Sequence, residues 1–251
     1  MTDLGPRYGS LPAKLYYWTN SWRFKNNSQH VITITHCGKL GDFIACLPIA
    51  SWLYKTRGQK IHSVLASKFA LFAQTISLLK LQELTHDVTL ADFPVIDWEK
   101  GGEPYKHDPN QYSVVAPEYY NLGFRRTPRR FVPEYVAEEY GLGYDKSFRL
   151  NLGHYDHTDE ILISDAFMQT EVPHGTLIDH SQDVLTNARR MAGARESHVS
   201  QSGLFHVLDW AGVTPTCVYV YPHSVNLDRF TNRMSEHNIK HINRVVRPLN
   251  R

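Results

Sequence analysis

The stretch over residues 30–56, "HVITITHCGKLGDFIACLPIASWLYKT", limits the fold more than any other. "VITIT" is a continuous run rich in β-branched residues, the mark of a strand buried on both faces. Gly38 and Gly41 then punctuate a turn. Over residues 42–56, Phe43, Leu47, Ala50 and Leu53 recur at helical spacing until Gly58 stops the helix. The unit repeats at once, with "KIHSVLA" as a second strand and "SKFALFAQTISLLK" as a second helix. Strand, helix, strand, helix at this spacing predicts parallel βαβ units and an α/β, doubly wound sheet.

A second α/β half follows. "DEILISDA" reads as a buried strand, "SQDVLTNARRMAG" and "SGLFHVLDWAG" as helices, and "TPTCVYVYP" as a closing strand. Leu227, Phe230, Met234, Ile242 and Val245 lie near helical spacing and predict a last amphipathic helix over residues 226–247. Residues 93–150 are rich in Pro, Gly, Tyr and Arg and read as a loop-rich insertion, a class of segment that often carries function. The expected organisation is a first domain over residues 1–150, holding this insertion, and a second over residues 151–251.

Composition bounds the function classes. The chain has 251 residues, 42% apolar and 21% charged, which suits one large or two small globular domains. No apolar run reaches the roughly 18 residues that a membrane span needs. "MTDLGPRYGS" lacks a basic region followed by an apolar core, so no signal peptide is expected. Cys37, Cys46 and Cys217 are too scattered for a disulfide framework or a CxxC metal site, and a reducing cytoplasm is the expected location. Fourteen histidines form no HExxH or His/Cys cluster, so no metal site is expected. Net charge is only +2, yet Arg125, Arg126, Arg129 and Arg130 crowd into "GFRRTPRRF", and "KHINRVVRPLNR" is basic again. Each is either a solvated face or a surface for a polyanion such as nucleic acid or phosphorylated glycan.

Two glycine corners carry the chemistry. In "CGKLGD", Gly38 and Gly41 let the backbone turn sharply and approach a ligand, and the helix start offers unpaired amides. Asp42 there is either a helix cap or, at the carboxyl edge of a parallel sheet, a general base toward a hydroxyl. In "SQSGLFHVLDWAG", Ser202 can cap a helix, Gly203 leaves space at its start, and His206 lies one turn in on the same side. A diphosphate could sit on that helix end with His206 donating to it. The alternative is an ordinary capped helix with a structural histidine.

Together the corners resemble a family. "VITITHCGKLGDFIACLPIASWL" resembles the opening of the heptosyltransferase-like glycosyltransferases of family 9, where Leu40, Gly41, Asp42, Leu47 and Pro48 match a G-x-L/M-G-D turn and an L-P-bearing helix. Pro48 inside a helical pattern is otherwise unexpected. "QSGLFH", with Ala211 and Pro215 after it, resembles the second motif, D-S/T-G-x-x-H. The resemblance implies a GT-B fold, two Rossmann-like halves with parallel sheets facing across a cleft. It implies Asp42 as catalytic base. It implies donor contacts from Gly38, Lys39, Gly41, Ser202, Gly203, Leu204 and His206, and inverting transfer from a nucleotide sugar with no metal and no other cofactor. Leaving-group charge would then be stabilised by a helix N-terminus and basic side chains. The sequence departs from the family in four places. Gln201 stands where the family has an acid, and the preceding "ARESHVS" is mostly polar. The second half offers Lys146 before its first strand and His174 after it, but no lysine at that strand's end. The chain is also short for the family.

The expected acceptor is a polyanion. Arg125, Arg126, Arg129 and Arg130 lie between Phe124 and Phe131, and arginine with aromatics suits phosphates and bases. This favours a hydroxymethylated pyrimidine in phage DNA, held by salt-dependent phosphate contacts and flipped out of the duplex. Lipopolysaccharide core is the alternative acceptor. A non-catalytic nucleotide-sugar-binding module or a bare scaffold are the alternatives to an enzyme.

Overall fold

The computed structural model describes residues 23–25, 28–36, 39–67, 70–91, 113–123, 130–221 and 227–242. A short strand β1 (Arg23–Lys25) precedes β2 (Val31–His36), and every residue of β2 is buried, as a strand covered on both faces must be. Helix α1 (Leu40–Arg57) follows and ends at Gly58, whose φ of 68° supplies the left-handed cap. Next come β3 (Lys60–Ala66), the short helices α2 (Ala70–Ala73) and α3 (Ile76–Lys80), and β4 (Thr85–Ala91). Strands β5 (Ser113–Val115) and β6 (Tyr119–Asn121) lead to helix α4 (Val132–Tyr140). The second half contains β7 (Thr158–Ile163), a 3-10 turn over Ala166–Thr170, β8 (Thr176–Leu177) and α5 (Val184–Gly193). It continues with β9 (Ala194–Ser200), α6 (Gly203–Trp210), β10 (Cys217–Val220), two 3-10 turns over Leu227–Arg229 and Met234–Glu236, and β11 (Ile239–His241).

Two parallel sheets result. The first has the order β4-β3-β2-β6 and the second β11-β10-β9-β7-β8, with β1 and β5 forming a separate parallel pair. In the first sheet the chain moves outward through β3 and β4, then returns to the other side of β2 as β6. In the second it steps to β8 and returns to the other side of β7 as β9. Each reversal opens a crevice at the carboxyl ends of the strands, and both glycine corners lie at such ends, after β2 and after β9.

One hydrophobic core joins the halves. Ile32, Ile34, Phe43, Leu47 and Leu53 belong to the same packed cluster as Val199, Phe205, Leu208 and Val218. Helix α1 is its axis, packed against both α4 and α6, and apolar almost all round, as an internal helix must be. Pro48 sits inside it without ending it, and its carbonyl accepts from Asp145 N at 2.9 Å.

Several expectations are corrected. The last helix over residues 226–247 does not form, and the described part of that stretch is two 3-10 turns and β11. Its apolar period is interrupted by Thr231, Arg233 and His237, which are as buried as Leu227 and Phe230. Ile239–His241 instead pairs in parallel with β10, so the strand in "TPTCVYVYP" is not the last. The expected second helix is broken into α2 and α3 because the Gln74 carbonyl accepts from Val184 N at 2.8 Å, at the start of α5. The insertion over residues 93–150 holds β5, β6 and α4, and β6 is an integral strand beside β2.

Candidate active site

At the first corner, Lys39 occupies the N-cap position of α1 and Asp42 is the third helical residue. Asp42 Oδ2 accepts the Lys39 backbone N–H at 3.0 Å, the acid arm of a capping box. Asp42 is buried, only 8% exposed, and with this bond the helix-cap role is realised in the structure. Gly38 lies outside the described residues.

At the second corner, Ser202 is the N-cap residue of α6, yet its side chain makes no cap hydrogen bond. The first-turn amides of Gly203, Leu204 and Phe205 are therefore not satisfied by it, and the positive end of the helix dipole is retained there. His206 N bonds back to the Ser202 carbonyl at 3.3 Å. Gln201 N donates to Tyr219 O at 3.0 Å, which extends the β10 ladder up to the corner.

The two corners meet. A Cβ on Gly41 would overlap His206 Cδ2 and lie 3.1 Å from Nε2. A Cβ on Gly203 would lie 2.9 Å from Leu40 Cδ2. Each corner's glycine thus receives the other corner's side chain, and only glycine permits so close an approach of the two helix ends. The space at Gly203 goes to Leu40, so a ligand would meet α6 at its amides and not over that α-carbon.

His206 is 6% exposed, with its ring centroid 5.2 Å from Phe205 and 5.1 Å from Phe230. Burial pushes its pKa down to about 4 against the opposing pull of the Asp209 carboxylate, so the ring is neutral at neutral pH. Its Nδ1 is buried and has no hydrogen-bond partner among the described residues. Behind it, His237 Nε2 bonds Asp209 Oδ1 at 2.8 Å. Arg233 donates to the Asp209 carbonyl at 2.7 Å and to Thr214 Oγ1 at 2.9 Å. This buried network ties the segment before β11 to the far end of α6.

Arg130, the one described member of the arginine cluster, is exposed, and its guanidinium forks onto the Glu138 carboxylate of α4. That partner raises its pKa further. Arg125, Arg126 and Arg129 lie outside the described residues. Sequence reasoning missed Ser164, Asp165 and Ser200, which cluster where β7 and β9 end. The only signal for them was a Ser-Asp pair closing a predicted strand. Among the described residues, no group of three or more His, Cys, Asp or Glu side chains is placed to hold a metal ion, and no helix is long and apolar enough to cross a membrane.

No family model matches the chain, and no curated protein matches it significantly. Among solved structures it is similar to a glycosyl transferase of family 9 from Veillonella parvula DSM 2008, with a TM-score of 0.52, 13% identity and 86% of each chain covered. It is also similar to E. coli heptosyltransferase WaaC with ADP, with a TM-score of 0.44, 9% identity, and 84% of this chain and 90% of that chain covered. The first likeness establishes the fold as α/β with two Rossmann-like halves, the GT-B arrangement.

Proposed function

We propose that this protein is a nucleotide-sugar glycosyltransferase working by direct displacement with inversion. The observation that carries this reading is the meeting of the two corners, which brings Asp42 and the open first turn of α6 to one place through the Gly41–His206 and Gly203–Leu40 contacts. In the proposed step Asp42 takes the proton from an acceptor hydroxyl. The acceptor oxygen bonds to the anomeric carbon as the bond from that carbon to the diphosphate oxygen breaks. The electron pair leaves with the nucleoside diphosphate, whose charge the amides of Gly203 and Leu204 and the dipole of α6 stabilise. Lys39, at the cap of α1, supplies a cation at the same edge.

The acceptor is a hydroxyl on a polyanion, with hydroxymethylated DNA and phosphorylated lipopolysaccharide core as the two sources to compare. Arg130 is already engaged by Glu138, so nothing in the described part of the arginine cluster favours DNA over the glycan. A second reading is a non-catalytic nucleotide-sugar-binding module, which the burial of Asp42 and its bond to Lys39 N favour.

The test is release of nucleoside diphosphate from a panel of nucleotide sugars with each acceptor. Release that needs an acceptor, and falls at least about 100-fold in Asp42→Asn with donor affinity kept, supports the enzyme. Donor binding with no release on any acceptor would leave the binding module instead.

A further inference from the structure

A carboxylate with one idle oxygen sits beside the second corner. Asp165 follows β7 and occupies the N-cap position of the 3-10 turn, yet its side chain makes no cap hydrogen bond. It turns instead toward β9. Ser164 Oγ donates to Asp165 Oδ2 at 3.1 Å, and Ser200 Oγ donates to the same oxygen. The serines are themselves fixed, since Ser200 N donates to Ser164 Oγ at 2.9 Å and His180 Nε2 donates to the Ser164 carbonyl at 2.6 Å. Ser164 is 1% exposed and Ser200 3%. Both hydroxyls converge on Oδ2, and Oδ1 accepts nothing from the described residues. No Lys, Arg or His side chain among them pairs with Asp165. The carboxylate is only half-buried.

Its place in the fold is informative. β7 and β9 flank the reversal of the second sheet, so Asp165 and Ser200 stand at the crevice where open parallel sheets bind ligands. Two residues beyond Ser200 lies Ser202, the cap of α6. The half-buried rings of Phe167 and Tyr221 lie 5.2 Å apart, and Tyr221 is near enough to Asp165 that burial together with the Asp165 charge raises its hydroxyl pKa. A carboxylate here repels phosphate and accepts hydroxyl protons, and a neighbouring aromatic face suits the apolar side of a sugar ring. The positive end of α6 does the reverse and attracts phosphate.

We propose that Asp165 is a donor-specificity residue whose carboxylate binds vicinal hydroxyls of the nucleotide sugar, those of the ribose or those of the transferred sugar. It orients the donor with its diphosphate over α6 and its polyol over β7. This rests on the glycosyltransferase reading above.

Calorimetric titration of wild type and Asp165→Asn tests it, with ADP, GDP, UDP and CDP, their 2′-deoxy counterparts, and the matching nucleotide hexoses. Charged hydrogen bonds of this kind are expected to shift affinity about tenfold or more. If the ribose is the source, wild type binds the ribonucleotide about tenfold tighter than the deoxy form, and Asp165→Asn removes the preference. If the transferred sugar is the source, wild type ignores the 2′-hydroxyl but prefers the nucleotide hexose to the bare diphosphate, and the variant loses that preference. Ser200→Ala keeps the charge but frees Oδ2 from one hydroxyl, and it is expected to give a smaller loss in the same direction. It also serves if the Asn variant melts early. Unchanged preferences in both variants, with wild type still binding donor, overturn the proposal and leave the enzyme reading standing. Wild type that binds no nucleoside diphosphate or nucleotide sugar overturns both.

Discussion

His206 and Gly41 couple the two halves of the molecule through the space of one absent methyl group. Gly41→Ala would push a Cβ into the imidazole, which is backed by Phe205 and Phe230 and has no open side to move toward. The expected cost is about 1–3 kcal/mol of folding stability, read as a lower denaturant midpoint, with weaker donor binding because the end of α6 moves too. His206 also makes stability depend on pH. Unfolded, it titrates near 6.5, and folded, near 4. Between those values the unfolded chain holds the proton and the folded chain does not. Its contribution is therefore complete above pH 6.5 and is lost as pH falls toward 4, by roughly 3 kcal/mol at the low end. Urea midpoints at about pH 7 and about pH 4.5 measure this, and His206→Gln is expected to flatten the difference. An equal drop in wild type and variant would assign the acid sensitivity to other groups.

Among the elements, the segment from the first late 3-10 turn to β11 is held less by apolar packing than by polar anchors. Arg233 and His237 reach Asp209, which is itself buried at the end of α6. Removing the acid leaves the buried His237 Nε2 without its partner, while Arg233 keeps the Glu236 carboxylate at 2.7 Å and the backbone carbonyl of residue 209. Asp209→Ala is expected to cost about 1–3 kcal/mol and to strip hydrogen-exchange protection from β11 before β2 or β3. Equal loss of protection across both sheets would mean the network does not act locally. The same anchors explain why this segment was illegible in the sequence. A buried Arg and a buried His fall where an amphipathic helix demands apolar or solvent-facing residues, so the period misled. β2 and β3 were legible because a strand covered on both faces must be apolar throughout. β4, "THDVTLA", alternates polar residues and pairs on one side only, at the edge of its sheet, and leaves no such run. At the site, glycine and helix-start chemistry marked both corners. No local pattern encodes that each glycine is filled by the other corner's side chain, and a lone Ser-Asp at a strand end is too common to single out Asp165.

Across the whole molecule, one core crosses between the sheets, with α1 as its axis. Two separable halves would melt in two steps, whereas a shared core of this kind makes each half depend on the other. Urea unfolding followed by tryptophan fluorescence and by circular dichroism is expected to give coincident single transitions, and transitions that separate would overturn the shared-core account. The Gly41–His206 and Gly203–Leu40 contacts bear on motion as well. Enzymes built of two lobes commonly admit substrate by swinging the lobes apart and closing them again. Here the lobes are clasped at the point where they would have to part. On the glycosyltransferase reading proposed above, the donor would enter a standing shape, and turnover would be paced by chemistry or by departure of the nucleotide, with no opening stroke between cycles.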